Sequence, residues 1–303
     1  METSSDDEGD SASLLTKSTL IIFVLLPLVL YKPQKQKPKI LSVAAAPAPV
    51  VQTTVMPMES GTPKPKKKKK KLYITFDDGP NRGTKNVLHI VKDEAVPVSF
   101  FVVGSHVFAS PTQARMWDSL KMMQQIDICN HSYSHAHSRY ERFYQQPDSV
   151  VIDFQRTHDS LQLSNTIART PGRNIWRIDT LRFTDLKKSS AAADSLQKAG
   201  FALMGWDLEW HFDHKNMSVA TPAEKMVAQI DSVFKHRRTK KEDHLVLLAH
   251  DQVYQKSEDS FQLRQFLQLL KKNEEYEFSL VTSYPGAVKP IDSLKTKAVA
   301  GLQ

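Results

Sequence analysis

Short apolar runs and longer amphipathic segments alternate along the chain from residue 72 to residue 287. Short runs rich in β-branched and aromatic residues favour buried strands, whereas apolar positions that recur every three or four residues favour helices. By this criterion the sequence predicts seven strands, at residues 72–76, 98–103, 126–129, 167–170, 202–206, 245–249 and 278–282.

Helix-like segments separate these strands. They are predicted at residues 84–94, 111–125, 149–163, 189–200, 221–236 and 260–273. Two of them begin with a proline just after Ser or Thr (Pro111 and Pro222) and one ends at Gly200, as helix termini prefer. Seven strands that alternate with helices predict a parallel α/β sheet, and at this length a distorted (β/α)7 barrel.

The first 71 residues have a different composition and predict targeting and linker segments. An acidic tail (1–17) precedes an uncharged apolar stretch (18–31), which is shorter than the roughly 20 residues of a full membrane span and suits a signal peptide or a short anchor better than a core helix. A linker rich in Ala, Pro and Lys (32–71), the catalytic domain (72–287) and a C-terminal tail (288–303) follow. We therefore expect a membrane-anchored or secreted protein whose domain lies outside the cytoplasm, although the lysines after the apolar stretch favour the opposite orientation.

The positive charge of the chain is concentrated in this N-terminal arm. Of the net charge of +8, residues 1–71 carry +6 from twelve lysines and six acids, which leaves +2 for the rest. The run Lys66–Lys71 is expected to be a solvated tether, or to adhere to an anionic envelope polymer or membrane surface. Because no aromatic residue interrupts it, specific nucleic-acid binding is not expected. Cys129 is the only cysteine, which excludes an intrachain disulfide.

Two adjacent carboxylates, Asp77 and Asp78, follow the first predicted strand, and a Gly-Pro pair follows them. Side chains alternate between the two faces of a strand, so both carboxylates can point to one place only if the strand breaks there. Gly79-Pro80 is such a break signal. The alternative is that both aspartates are ordinary solvated turn residues.

Other strands also end in chemically active side chains. His131 and His135 follow the third strand, Arg169 ends the fourth, and His250 follows the sixth. A spacing of four residues places two histidines on one face of a helical turn, where they could bind one cation, although a His-rich surface turn would look the same. Two histidines and a carboxylate such as Asp78 make the usual open zinc site.

Five short segments, "TFDDGP", "HSYSH", "RTP", "WDLEW" and "LLAH", occur in an order that resembles the polysaccharide deacetylases, carbohydrate esterase family four. The resemblance covers about residues 72–287. It implies a distorted seven-stranded barrel and a hydrolase that uses a divalent metal, generally zinc, to remove N-acetyl or O-acetyl groups from chitin-like polymers, peptidoglycan or xylan. For this chain it favours N-acetyl groups of an extracellular or envelope polysaccharide.

The resemblance also implies roles for individual residues. Asp78, His131 and His135 would bind the metal, Asp77 would be the general base, and His250 the general acid. Supporting roles fall to residues near them: Arg169 pairs with Asp77, Ser132 holds the histidine turn, and Glu209 or Asp207 orients His250. Gly172, just after Pro171, provides the oxyanion N–H, and Trp206 and Leu248 line the substrate site.

The chain also departs from the family pattern at two of the motifs. Gly172 stands where relatives often have an aromatic residue, so a sugar-stacking surface is expected to be lost, and Glu209-Trp210 stands nearest to the usual Asp-Trp pair. Two other classes of function remain open: an inactive carbohydrate-binding relative, and an envelope-adhesive protein that acts through its lysine run.

Overall fold

The computed structural model of the protein describes residues 68–287. The predicted acidic tail, the apolar stretch, the linker up to residue 67 and the C-terminal tail lie outside the described residues. Within residues 68–287, no helix is both long and apolar enough to cross a membrane.

The described residues form twelve strands and eight α-helices. The strands are β1 (Lys70–Asp77), β2 (Val98–Val102), β3 (Ile126–Asn130), β4 (Ile167–Ala168), β5 (Ile175–Ile178), β6 (Leu181–Thr184), β7 (Ala202–Leu203), β8 (Leu208–Glu209), β9 (Phe212–Asp213), β10 (Ser218–Val219), β11 (His244–His250) and β12 (Tyr276–Phe278). The helices are α1 (Thr84–Asp93), α2 (Gly104–Val107), α3 (Pro111–Met122), α4 (Tyr140–Tyr144), α5 (Pro147–Leu161), α6 (Ser190–Lys198), α7 (Ala223–Lys235) and α8 (Ser257–Lys271).

One large sheet organises the domain. Its strands lie in the order β6-β5-β7-β4-β3-β2-β1-β11-β8, and β12 pairs with β1. The central pairs from β7 to β8 are parallel, whereas β5 is antiparallel to both β6 and β7. Within the described residues no ladder joins β6 to β8, so the sheet is open. The predicted α/β class is confirmed, and the predicted distorted (β/α)7 barrel takes the form of a half-barrel.

The first six predicted strands and all six predicted helices are present, and five further strands were not predicted. The seventh strand, predicted at residues 278–282, is shifted: β12 ends at Phe278, and Val281–Ser283 form a 3₁₀ turn. The β5–β6 hairpin forms one edge of the sheet, and its two-residue turn at Asp179-Thr180 contains no glycine. The strands β8, β9 and β10 are two residues long, too short to produce a period-2 pattern.

The first strand also begins earlier than predicted. Lys70 and Lys71 belong to β1. Lys70 forms an ion pair with Glu275, just before β12, and Lys71 forms one with Glu277, which lies within β12 and pairs with β1. The predicted domain boundary at residue 72 therefore moves to residue 70. Two of the six lysines in the predicted tether are part of the folded domain.

The two faces of β1 have different environments. Leu72, Ile74 and Phe76 are buried in the large apolar core that also contains α1, α7 and α8. Tyr73 packs in a second apolar cluster, and Thr75 is buried on the same side of the strand. Alternation along the strand assigns the next odd-numbered residue, Asp77, to this second face.

Candidate active site

The end of β1 explains how two adjacent carboxylates reach one site. Asp77 is the last strand residue and is 2% exposed, on the same strand face as Thr75. Asp78 has a φ of 71°, in the left-handed region that breaks the strand alternation and that Asp tolerates better than most residues. The two carboxylates therefore turn toward the same histidine, since His131 Nε2 lies 3.6 Å from Asp77 Oδ2 and 3.4 Å from Asp78 Oδ1.

Asp78, His131 and His135 form a group with the spacing of a metal site. One ligand atom from each lies within 4.8 Å of the others. Asp78 Oδ1 is 3.1 Å from His135 Nε2, yet this buried oxygen makes no hydrogen bond. Close ligand atoms that are not directed at one another fit a shared cation, and two imidazoles with one carboxylate are a usual zinc donor set. The residues therefore fit the metal that the sequence predicts.

Backbone and hydroxyl contacts orient the two histidines. His131 follows β3, and its Nδ1–H donates to the Arg169 carbonyl over 2.9 Å, which leaves Nε2 free to face the cation position. Ser132 Oγ accepts a hydrogen bond from the His135 backbone N–H at 3.0 Å, as expected of the residue that holds the turn. The predicted helical turn is wrong, however: Ser132 and the short segment His135–Ser138 have positive φ values.

The electric field at this group favours positive charge. Burial alone would raise the pKa of Asp78, but contacts with His131 and His135 outweigh it and hold this pKa well below its usual range. Desolvation would lower the pKa of His131, but the carboxylates of Asp77 and Asp78 outweigh it, and this pKa is raised. A site that draws a proton to an imidazole in this way also attracts a cation.

Arg169 pairs with Asp77 in the buried interior. Its guanidinium is fully buried, and Nη1 lies 2.7 Å from Asp77 Oδ1 and 2.7 Å from Thr75 Oγ1. The guanidinium carbon also lies 4.0 Å from the ring centroid of Phe101. The arginine therefore balances the charge of this carboxylate and fixes its orientation.

His250 ends β11 and faces the same site, but its predicted carboxylate partner is not found. Asp207 accepts hydrogen bonds from the backbone N–H groups of Lys240 and Val246 at 2.6 Å and 2.8 Å, so it holds the start of β11 and not His250. Burial raises the pKa of Asp207 to about 6 despite these bonds. Glu209 lies 3.4 Å from His211 Nδ1, while the buried His250 Nδ1 has no hydrogen-bond partner within the described residues.

A cleft of about 500 Å³ brings these groups together at the carboxyl edge of the sheet. Trp206, Leu248 and Gly172 line it, as predicted, whereas Pro171 is buried beside it and is not among the lining residues. The lining consists of Asp77, Asp78, His106, His131, His135, Tyr140, Thr170, Gly172, Trp206, Glu209, Phe212, His214, Leu248, His250 and Gln252.

His106 is a site residue that the sequence reasoning missed. Its Nδ1–H donates to the backbone carbonyl of Asp78 over 2.7 Å, and its ring lines the cleft. The bond supports the left-handed conformation of Asp78. His106 lies in α2, four residues after β2, so the rule that strand ends carry chemistry would have identified it.

Comparisons with known proteins agree with this fold. A family model for polysaccharide deacetylase matches residues 64–201. The chitin disaccharide deacetylase of Vibrio alginolyticus is 23% identical over 216 residues, which cover 51% of this chain and 50% of that protein. The chitooligosaccharide deacetylase of a Bradyrhizobium species is 34% identical over 150 residues, 46% of this chain and 56% of that protein.

Two solved structures have a similar fold. The catalytic domain of the peptidoglycan N-acetylglucosamine deacetylase from Eubacterium rectale has 20% identity and a TM-score of 0.53, and the match covers 74% of this chain and 94% of that one. A CE4 esterase from Streptococcus mutans has 22% identity and a TM-score of 0.52, with coverage of 70% and 86%.

The half-barrel and its carboxylate–histidine group thus define an α/β protein with a metal-binding type of site at the carboxyl edge of a parallel sheet. Over residues 64–201 the chain is similar to the polysaccharide deacetylase family. It spans about half the length of the curated relatives that it matches.

Proposed function

We propose that this chain is a metal-dependent hydrolase that removes acetyl groups, chiefly N-acetyl groups, from a polysaccharide. The observation that carries the proposal is the convergence of Asp77, Asp78, His131, His135 and His250 in one cleft. Solvated turn aspartates or a surface histidine turn would not produce a buried carboxylate oxygen close to two imidazoles. The match of residues 64–201 to the polysaccharide deacetylase family model supports the same reaction class.

Asp78, His131 and His135 would hold the metal ion, and zinc suits this donor set. When bound, the ion lowers the pKa of water and polarises the carbonyl group under attack. His131 and Asp78 are oriented for this task by the bonds to the Arg169 carbonyl and from His106.

The remaining groups move protons and stabilise charge. Asp77, ion-paired to Arg169, accepts a proton from the water whose oxygen bonds to the acetyl carbon. The C–N bond then breaks, and His250 donates a proton to the departing amine, so that acetate and a free amino sugar are formed. The exposed Gly172 N–H has no acceptor within the described residues and is free to donate to the oxyanion.

The proposed substrate is a chitin-like polymer or peptidoglycan. Relatives named as chitin disaccharide and chitooligosaccharide deacetylases, with Trp206 and Phe212 in the cleft lining, support an N-acetylated sugar polymer. The test is acetate release by the full chain, with zinc, from chito-oligosaccharides, peptidoglycan and acetylated xylan. Release from none of them, together with retained oligosaccharide binding, would indicate an inactive carbohydrate-binding relative instead.

We propose that the domain lies outside the cytoplasm, either anchored to the membrane or secreted, because such polymers lie outside the cytoplasm. The apolar stretch at residues 18–31 supports export, and the lysines that follow it count against this orientation. Protease treatment of cells with a permeabilised outer barrier and an intact inner membrane tests it. A domain that is cleaved only after the inner membrane is lysed would refute the location.

We also propose that the lysine run binds anionic envelope polymers or membrane surfaces. Removal of residues 1–69 tests this, because it removes four of the six lysines and does not cut into β1. Deacetylation should persist in this variant, whereas adhesion to anionic polymer should be strongly weakened. A purely adhesive function predicts that wild-type protein binds but releases no acetate.

A further inference from the structure

Tyr140 occupies the space that a side chain at position 172 would need. A Cβ built on Gly172 would lie 3.2–3.3 Å from three atoms of the Tyr140 ring. Gly172 also has a φ of 63°, a conformation that glycine adopts without strain. The ring therefore lies directly against the turn whose N–H faces the cleft.

The ring of Tyr140 is held firmly in this place. Tyr140 begins the short helix α4, and Tyr144 ends it with a hydrogen bond from its hydroxyl to the Pro171 carbonyl at 2.6 Å. The Tyr140 ring also meets the His135 ring edge-on, with centroids 5.8 Å apart. Helix α4 is thus fastened to the turn at Pro171 and Gly172 by both of its terminal tyrosines.

We propose that Tyr140 determines substrate specificity by giving the acetylated sugar an aromatic surface to pack against, in the place where Gly172 provides no side chain. This inference rests on the proposed function. Tyr140 is half-buried and lines the cleft together with Gly172 and His135, so part of its side chain is accessible from the cleft. An aromatic ring fits the C–H face of a pyranose ring, and its rigidity adds little ordering cost on binding.

A contact between Tyr140 and a sugar ring would restrict the substrate to acetylated sugars, whereas the metal ligands Asp78, His131 and His135 alone would accept any acetyl group. A small acetyl ester needs only the metal group, Asp77 and the Gly172 N–H. An N-acetylhexosamine oligomer also needs a surface for its sugar ring. Tyr140 should therefore distinguish oligosaccharides from small esters, and the sugar-stacking surface that the sequence suggested was lost is restored from another segment of the chain.

The test compares Tyr140→Leu with Phe143→Leu in the zinc-loaded full chain. Phe143 belongs to the same helix but lies outside the cleft lining, so it is a matched control. Acetate release from a chito-oligosaccharide and hydrolysis of p-nitrophenyl acetate are measured, with zinc content. Tyr140→Leu should lower kcat/KM for the oligosaccharide about tenfold, mainly through KM, and leave the small ester and zinc content within about twofold. Phe143→Leu should not change the ratio between the two substrates.

Equal losses on both substrates in Tyr140→Leu, or loss of zinc, would overturn the inference, because the ring would then only support His135. Tyr140→Phe should behave as wild type, since the proposed contact needs the ring and not the hydroxyl. If wild-type protein releases no acetate, the proposed function fails, and calorimetric binding of the same oligosaccharide decides this inference separately. It stands if Tyr140→Leu weakens that binding about tenfold, and falls if binding is unchanged or absent in wild type.

Discussion

Replacing Arg169 by Met should destabilise the domain more than replacing a charged residue on its surface. The guanidinium is fully buried and makes four hydrogen bonds, to Thr75 Oγ1, Asp77 Oδ1 and the backbone carbonyls of Met204 and Gly205. The methionine would fill most of the volume but would leave these acceptors without a donor. Asp77 would then be a buried carboxylate without a counter-charge.

The loss of stability can be estimated from the buried groups that lose their hydrogen-bond donor, the Asp77 carboxylate and the two backbone carbonyls. Breaking one partner of a buried ion pair costs about 3–5 kcal/mol. Each carbonyl that loses its donor adds roughly 1 kcal/mol or more. We therefore expect Arg169→Met to lower the free energy of unfolding by about 5–7 kcal/mol, a third or more of the total stability of an ordinary domain.

Arg177→Met is the matched control. Arg177 is 6% exposed and also donates to backbone carbonyls, but its carboxylate partner Asp194 is 47% exposed and can be resolvated by water. Its loss should cost only about 1–2 kcal/mol. Urea unfolding of the full chain at pH 7 in chelator measures both. Similar losses in the two variants would show that the unpaired carboxylate of Asp77 is not the source of the effect.

Three further predictions concern the metal, the two carboxylates and pH. His131→Ala should reduce zinc, measured by elemental analysis, well below one ion per chain and abolish turnover; full occupancy would contradict the assignment. Asp77→Asn should keep the metal but lower the rate by a factor of about 10² to 10⁴, whereas Asp78→Asn should weaken metal binding. Zinc rescue of Asp77→Asn alone would reverse these roles. Because burial raises the pKa of Asp207 to about 6, the folded state binds its proton more tightly than the unfolded state. Stability should therefore fall by about 1–2 kcal/mol as pH rises from about 4 through 6, and Asp207→Asn should flatten that slope in urea titrations; an unchanged slope would refute the cause.

The core of the fold was predictable because its strands are long, apolar and bounded by helix signals. The pattern identified β1, β2, β3 and β11. Asp77 ends β1, His131 directly follows β3, and His250 ends β11. It did not reveal that the sheet stays open, because closure depends on how β5 and β6 turn back antiparallel at one end. Nothing in the periodicity of those two short strands distinguishes a parallel from an antiparallel neighbour.

The chemical residues were predictable from one rule, that the carboxyl ends of parallel strands meet at one edge. Arg169 and Ser132, which orient two of them, were also expected. The carboxylate partner of His250 was not predictable, because it depends on side-chain direction. Asp207 and Glu209 lie two residues apart and looked equivalent, yet Asp207 turns to backbone N–H groups and Glu209 to the cleft. Tyr140 was missed because its position against Gly172 arises from helix packing and leaves no spacing in the sequence.

The Gly-Pro pair after the two aspartates has a cause beyond ending the strand. Asp251, directly after His250, is fully buried and accepts hydrogen bonds from the side chains of Asn81 and Thr84. A Cβ on Gly79 would lie 2.7 Å from Asp251 Oδ2, so only glycine leaves room for this carboxylate. The turn that directs Asp78 toward the histidines is therefore built around the residue next to His250. One buried side chain thus links the turn that follows the proposed base and metal ligand to the strand end that carries the proposed acid.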